Sequence, residues 1–234
     1  MTGFRNVMMG AAGVASDETM SGILQSNGFT TNLKQCLDAG DANSYTSGNK
    51  WLDVAGNNYD MMLGSEASSS STGDEPTFNG SAGDTSTSTY FSFPNDDEFF
   101  LYDATNEAWM DNLHKNNADF SIGMIIYING GARGSNICGS CNRSQSTTGI
   151  GFRVEDDESL SFASTNGTGS GRLLVSTGTG IAKTSAWNFV GLTVDEATGS
   201  GGGFFVCYNA DRTGYAQVSS ANTWDATYTS PSTG

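Results

Sequence analysis

Positive charge is scarce in this chain. Ten Lys and Arg stand against 25 Asp and Glu among 234 residues, a formal net charge of −15. A nucleic-acid binder needs a basic stripe to release counterions from phosphate, so that class is excluded. Docking on an anionic membrane surface is excluded on the same ground. Three prolines are too few for a stiff proline-rich or collagen-like chain. No stretch approaches the ~18 apolar residues of a membrane-spanning helix. Leu, Ile, Val and Phe are also sparse, 41 residues in all, which together with the charge matches the composition of disordered chains. The 25 aromatic residues contradict that, because a solvated coil is poor in Phe, Trp and Tyr. The chain is therefore read as folded, with a polar surface.

What is abundant is turn chemistry. Gly 31, Ser 30, Thr 25 and Asn 20 make up nearly half of the residues. Short aromatic strands punctuated by many turns are the composition of an antiparallel sandwich or barrel. Helix bundles are excluded, since few windows could carry a 3.6-residue period without glycine.

Residues 1–32 read as a separate N-terminal arm without a clear period. Four methionines (Met1, Met8, Met9 and Met20) suit an adaptable packing surface, and Met8, Met9 and Met20 are the candidate attachment residues. Residues 1–15 also carry a weak signal-peptide pattern, diluted by glycine. From Leu33 strand signals begin: Leu33 to Asp38 is expected to be a short strand, and 65–89 a Ser/Thr-rich surface loop pinned by Pro76 and Phe78. The one helical candidate is 105–115, where Trp109 and Leu113 fall at i and i+4. The clearest two-residue period follows. Ile122, Met124, Ile126 and Ile128 share one strand face, and Ile125 and Tyr127 make the other apolar too. Ile150, Phe152 and Val154 lead through Glu155-Asp156-Asp157-Glu158 into Leu160 and Phe162, a hairpin. Trp187 to Val194 and Phe204 to Tyr208 are the last strong strands. This pattern predicts an all-β fold with antiparallel sheets and one short helix, in two parts: the arm 1–32 and a domain over 33–234.

Two blocks resemble a known family. Cys36-Leu37-Asp38-Ala39-Gly40 to Ser44-Tyr45, followed by Trp51-Leu52-Asp53-Val54-Ala55-Gly56-Asn57, is similar to the opening of concanavalin A-like, laminin-G-type jelly-roll domains. Phe120 to Ile128, Gly149 to Val154, Trp187 to Asp195 and Phe204 to Asn209 resemble that family's inner strands. The likeness spans roughly residues 33–215 and rests on the order and spacing of the motifs. It implies an antiparallel jelly-roll sandwich with rim loops that bind glycans, proteins or calcium, and it does not imply catalysis. The Met-Met-Gly-Ala-Ala-Gly opening and the 105–118 segment resemble variants carried by virion proteins of tailed bacteriophages.

Candidate chemistry is thin. The family's glucanases place three carboxylates alternately along one strand, facing one cleft. Glu155 to Glu158 is contiguous and sits in a turn, so no such run exists. Cys138-Gly139-Ser140-Cys141 falls in a Gly/Asn/Ser loop, where it can close a small disulfide or remain as free thiols. Redox chemistry would want a helix N-terminus, and zinc would want two further ligands. Cys36 and Cys207 are expected to be buried, unpaired strand cysteines. His114 is the only histidine, read as closing the helix beside Lys115, and it leaves no Ser/His/Asp order to propose. Asp96, Asp97, Asp156 and Asp157 are solvated turn residues or, in the functional reading, ligands for calcium, the one cofactor considered. Trp51 and Trp187 are expected to be buried, whereas Trp109 and Trp224 are candidates to stack on a sugar. Three N-x-S/T sequons, at Asn79, Asn142 and Asn166, carry weight only on a secretory route.

These features lead to the expectation of a non-enzymatic tailed-phage virion protein, a structural, decoration or adhesion component on the particle surface. Its arm would contact other virion proteins and its rim host-surface glycan, in a homo-oligomer or multi-copy assembly, with no nucleic acid or membrane partner. A secreted carbohydrate-binding module with the same fold is the alternative. After Tyr215 to Val218 the family's closing strands are not apparent. The expectation is that the chain is part of a longer product or that a neighbouring chain covers the gap.

Overall fold

The computed structural model describes residues 18–65, 73–86, 88–94, 98–102, 113, 119–129, 135–139, 148–166, 172–195, 202–209 and 218–219. Its regular structure is almost entirely antiparallel β, with one short helix among the described residues, as the turn-rich composition predicts. The chain divides into two compact units, Met1–Glu107 and Ala108–Gly234, whereas the sequence reading placed its boundary at residue 32.

In the first unit, helix α1 (Met20–Ser26) begins at Thr19, whose hydroxyl accepts the Gly22 N–H as an N-cap. The helix lies within the segment read as an arm without a period. It is tied to the following loop: the Met20 N–H donates to Asp38 Oδ2 at 2.6 Å and the Ser21 hydroxyl to Asp41 Oδ2 at 3.2 Å. Strands β1 (Lys50–Trp51), β2 (Met61–Leu63), β3 (Thr77–Asn79), β4 (Tyr90–Ser92) and β5 (Phe100–Tyr102) follow. They form a three-stranded sheet β1-β2-β5 and a β3-β4 pair. Strand β3 falls in the stretch expected to be loop, and β4 follows directly after it. The reason for the pair is aromatic: Phe78 and Phe91 are register partners, and both rings lie 4.8 Å from that of Tyr45. Pro76 is buried, so the two residues expected to pin this stretch do so.

The strand expected over residues 33–38 does not form. Side chains supply the bonds a neighbouring strand would give. The Cys36 N–H donates to Asp53 Oδ1 at 2.8 Å, the Asp38 N–H to the Ser44 hydroxyl at 3.2 Å, and the Cys36 carbonyl accepts from Val54. A backbone satisfied in this way has no need of a ladder.

The second unit contains β6 (Asp119–Ile128), β7 (Ser135–Gly139), β8 (Thr148–Val154), β9 (Leu160–Asn166), β10 (Arg172–Ser176), β11 (Ala186–Asp195), β12 (Gly202–Asn209) and β13 (Val218–Ser219). They make two four-stranded antiparallel sheets, β10-β9-β8-β7 and β13-β12-β11-β6. Both sheets feed one apolar core. Ile150, Phe152, Val154, Leu160 and Phe162 come from one, Ile128, Val190, Leu192 and Val194 from the other, with Phe120, Ile122, Met124 and Ile126 packed against them. The predicted hairpin is β8–β9, with Phe152 opposite Phe162 and Val154 opposite Leu160. Its turn closes through Glu155 N–H to the Ser159 carbonyl, with Glu158 at φ 62°. The helix expected at 105–115 lies outside the described residues except for Leu113, which is buried in this core.

Candidate functional site

Strand β6 has two faces of different fate. Alternation sends Phe120, Ile122, Met124 and Ile126 to the core and Ser121, Gly123, Ile125 and Tyr127 outward. Register pairs the outward residues with β11 as Ser121–Thr193, Gly123–Gly191, Ile125–Phe189 and Tyr127–Trp187. The result is a row about 20 Å long at the ~3.3 Å rise of a strand, hydroxylic at one end and aromatic at the other. Ser121 and Thr193 share a hydroxyl hydrogen bond of 3.2 Å. The Phe189 ring lies over both glycines. A Cβ on Gly123 would meet it at 3.2 Å and one on Gly191 at 3.4 Å, so the glycines let the ring lie flat on the sheet. The Tyr127 and Trp187 rings meet edge to face at 5.5 Å. Ile125 is 56% exposed and Tyr127 48%. Apolar rings on a sheet face can stack on the C–H face of a flat polar ligand, and hydroxyls farther along the same row can bond its rim.

Trp187 was expected to be a core residue. It is half-buried on this outer face, because its register partner is the outward Tyr127. Trp109 and Trp224, the sugar-stacking candidates, lie outside the described residues, as do Met8, Met9, Asp96, Asp97, His114 and Cys141. The signal for the aromatic row was present in the sequence as the apolar second face of 120–128, but an apolar outward row there reads equally well as a strand buried on both sides.

The turn carboxylates Asp157 and Glu158 are engaged within the fold. Asp157 Oδ1 accepts both the N–H (3.0 Å) and the hydroxyl (2.6 Å) of Ser159; those bonds, the hydroxyl's foremost, hold its carboxyl below the usual range. Glu158 Oε1 accepts the Thr184 hydroxyl at 2.8 Å and N–H at 3.1 Å, and its carboxyl is likewise lowered, first by the hydroxyl. Asp156 is exposed in the same turn. Among the described residues, no three His, Cys, Asp or Glu side chains converge as metal ligands would. Met20 is half-buried and donates its backbone N–H to Asp38 in the α1 clasp.

Cys138 lies within β7 opposite Phe152, not in a loop, and packs against the core as a free thiol. Burial pushes its pKa up to about 12. Cys36 is buried and unpaired as expected. Burial first, then Asp38, Asp53 and Asp41, raises its pKa to about 11. Neither thiol has the depressed pKa of a nucleophile.

The two blocks 36–45 and 51–57 are bound to each other. The Leu52 N–H donates to the Ser44 carbonyl at 2.8 Å and the Ser44 hydroxyl to the Leu52 carbonyl at 2.7 Å. Buried Asp53 is their hub. Its Oδ1 accepts the N–H groups of Cys36 (2.8 Å) and Ala55 (2.9 Å), its Oδ2 those of Asn57 (3.2 Å) and Tyr59 (3.3 Å). A carboxylate spent on four main-chain donors shapes a loop and has no lone pair aimed at solvent chemistry.

Comparison with family models, with curated proteins and with solved structures gives no match for this chain.

Proposed function

We propose that this chain is a non-enzymatic virion protein of a tailed bacteriophage, a decoration or adhesion component displayed on the particle and binding surface glycan through the outer face of β6–β11. In this reading the two sheets of the second unit are the halves of a jelly-roll sandwich, with the strands laid over one shared core. The observation that carries the binding role is the Tyr127–Trp187–Phe189 row, with Phe189 lying over Gly123 and Gly191 and the Ser121–Thr193 hydroxyls at its far end. Stacking on a sugar ring needs that combination of exposed aromatic faces at low conformational cost and nearby hydroxyls. The buried carboxylates Asp41 and Asp53 serve backbone donors, which supports a scaffold role over acid–base chemistry. The virion assignment rests on the resemblance of the opening and of the 105–118 segment to tailed-phage proteins.

The test is affinity electrophoresis in gels containing soluble neutral polysaccharides, here dextran, β-glucan and galactomannan. Retardation of the wild-type chain by at least one is expected, and Tyr127→Ala should weaken it roughly tenfold, as loss of an aromatic stacking contact does. Equal mobility of wild type and Tyr127→Ala in every gel refutes the site. The same face would serve a secreted carbohydrate-binding module, the second reading. Immunogold labelling of purified phage particles separates the two: labelled particles support the virion protein, and bare particles with the chain in the culture supernatant support the module.

A further inference from the structure

We propose that the free edge of β6 pairs with β6 of a second copy of this chain, antiparallel about a two-fold axis at Met124, so that two β13-β12-β11-β6 sheets join into one. The inference is independent of the glycan reading, since strand pairing uses the main-chain edge and leaves the aromatic face open. Three observations lead to it. First, β6 is the terminal strand of its sheet, and among the described residues nothing pairs with its outer edge. It is ten residues long, in unbroken register with β11, and its sequence DFSIGMIIYI contains no Lys, Arg or Pro. Folded proteins guard such edges with those residues, with bulges or with shortness, because an open ladder recruits another strand. Second, its core-facing row is incompletely covered. Phe120, Ile122 and Met124 are only half-buried, while their register partners Val194, Leu192 and Val190 are fully buried.

Third, β6 is complementary to itself. Two-fold pairing at Met124 sets Met124 opposite Met124, Ile122 opposite Ile126 and Phe120 opposite Ile128, an apolar row throughout. On the other face it sets Tyr127 of one copy opposite Ser121 of the other, and Ile125 opposite Gly123, large against small at every pair. Asp119 comes opposite Asn129, so no like charges meet, which cross-strand pairs require. The two Asp119 carboxylates then lie about 33 Å apart along the strand direction, ten residues at ~3.3 Å, well beyond the ~8 Å screening length at physiological salt. Asp119 is the one charged residue of β6, so the strand itself brings no charge to the axis. An isologous contact of this kind is closed, giving a dimer rather than a fibre.

Sedimentation velocity of the full chain over a dilution series tests the pairing. The wild type is expected to run as a dimer. Ile125→Lys, an edge-guarding charge at an exposed position, should give monomer with unchanged melting. Met124→Cys should form an intermolecular disulfide between the two 124 positions under mild oxidation, identified by peptide mass spectrometry against a wild-type control. This readout introduces no charge at the edge and stands if Ile125→Lys folds poorly. A wild-type chain that is monomeric at every concentration overturns the proposal. So does a dimer that survives Ile125→Lys in a folded variant, or a dimer that leaves Met124→Cys uncrosslinked. A monomer in which the β6 amides that point away from β11 are protected from exchange also overturns it, placing a segment of the same chain on the edge.

Discussion

Replacing Asp53 with Asn removes one charged oxygen from the centre of the 36–59 region and leaves its shape intact. With the amide oxygen kept toward Cys36 and Ala55, the new NH2 group points at the N–H groups of Asn57 and Tyr59, which now bond to Oδ2 at 3.2 and 3.3 Å. Two donors then confront a donor. Hydrogen bonds to a charged acceptor contribute about 1.5–3 kcal/mol each. Both bonds are long, so the lower end applies and the loss is about 3 kcal/mol. Native-state hydrogen exchange followed by NMR reads this locally. The Asn57 and Tyr59 amides should exchange about a hundredfold faster in the variant, since each 1.4 kcal/mol is a factor of ten. The Phe152 and Leu160 amides, in the other unit, should not change. Asn57→Ala is the control: it deletes the side-chain bonds to the Leu33 and Lys34 carbonyls yet keeps the backbone bond to Asp53. If the Asn57 and Tyr59 rates in Asp53→Asn stay within about threefold of wild type, less than ~0.7 kcal/mol, then Asp53 is not the hub argued here.

Two further predictions concern pH. The Glu158 carboxyl is lowered by the Thr184 hydroxyl, the Thr184 N–H and Lys183, so its contribution is present above the ordinary glutamate value and is lost as pH falls through the lowered one. Glu158→Gln should therefore flatten the acid side of a urea-midpoint profile, and acid sides of equal slope in variant and wild type would count against this role. The neutral thiols of Cys36 and Cys138, raised to about 11 and about 12, contribute stability that is full below the ordinary thiol range and lost as pH climbs through those values. At pH 8 their thiolate fractions are about 10⁻³ and 10⁻⁴, so iodoacetamide should label the folded chain far more slowly at both sites than the urea-unfolded chain. Labelling of Cys138 at the unfolded rate would refute its burial against the core.

The second unit was legible where burial alone decides structure. The alternation over 120–128, the Ile150 to Val154 run into Leu160 and Phe162, and the doubly apolar 187–194 stretch all became strands, because each writes its two faces into a two-residue period. What the period could not tell was which face of β6 meets water, since Ile125 and Tyr127 are as apolar as their inward neighbours. The Cys138 strand was missed for a related reason: its Gly and Ser neighbours read as loop, yet Cys138 fills a place opposite Phe152. Helix α1 is set by one local bond, the Thr19 cap, and by the reach of Asp38 and Asp41 from 18 and 20 residues downstream. A window of sequence cannot contain that.

The first unit shows why the acidic surplus is not merely a matter of solubility. Aspartate outnumbers glutamate 17 to 8 in this chain, and length of side chain is what separates them. A carboxylate one carbon from Cα reaches main-chain N–H groups close by, where a glutamate overshoots. The short form is used in that way repeatedly. Asp38 accepts Gly40 N–H, Asp41 accepts Asn43 N–H, Asp60 accepts Asp53 N–H, Asp74 accepts Ser65 N–H and Asp84 accepts Ser86 N–H. With β-strands of only two or three residues, this unit has few ladder bonds to satisfy its backbone. Aspartates take over much of the ladder's work, and the Tyr45, Phe78, Phe91, Trp51 and Phe100 ring cluster adds to the buried Met62 and Leu63. Low Leu, Ile and Val content, which by composition alone suggests disorder, is thus compatible with order when turns are tied by carboxylates and clustered rings enlarge a small apolar interior.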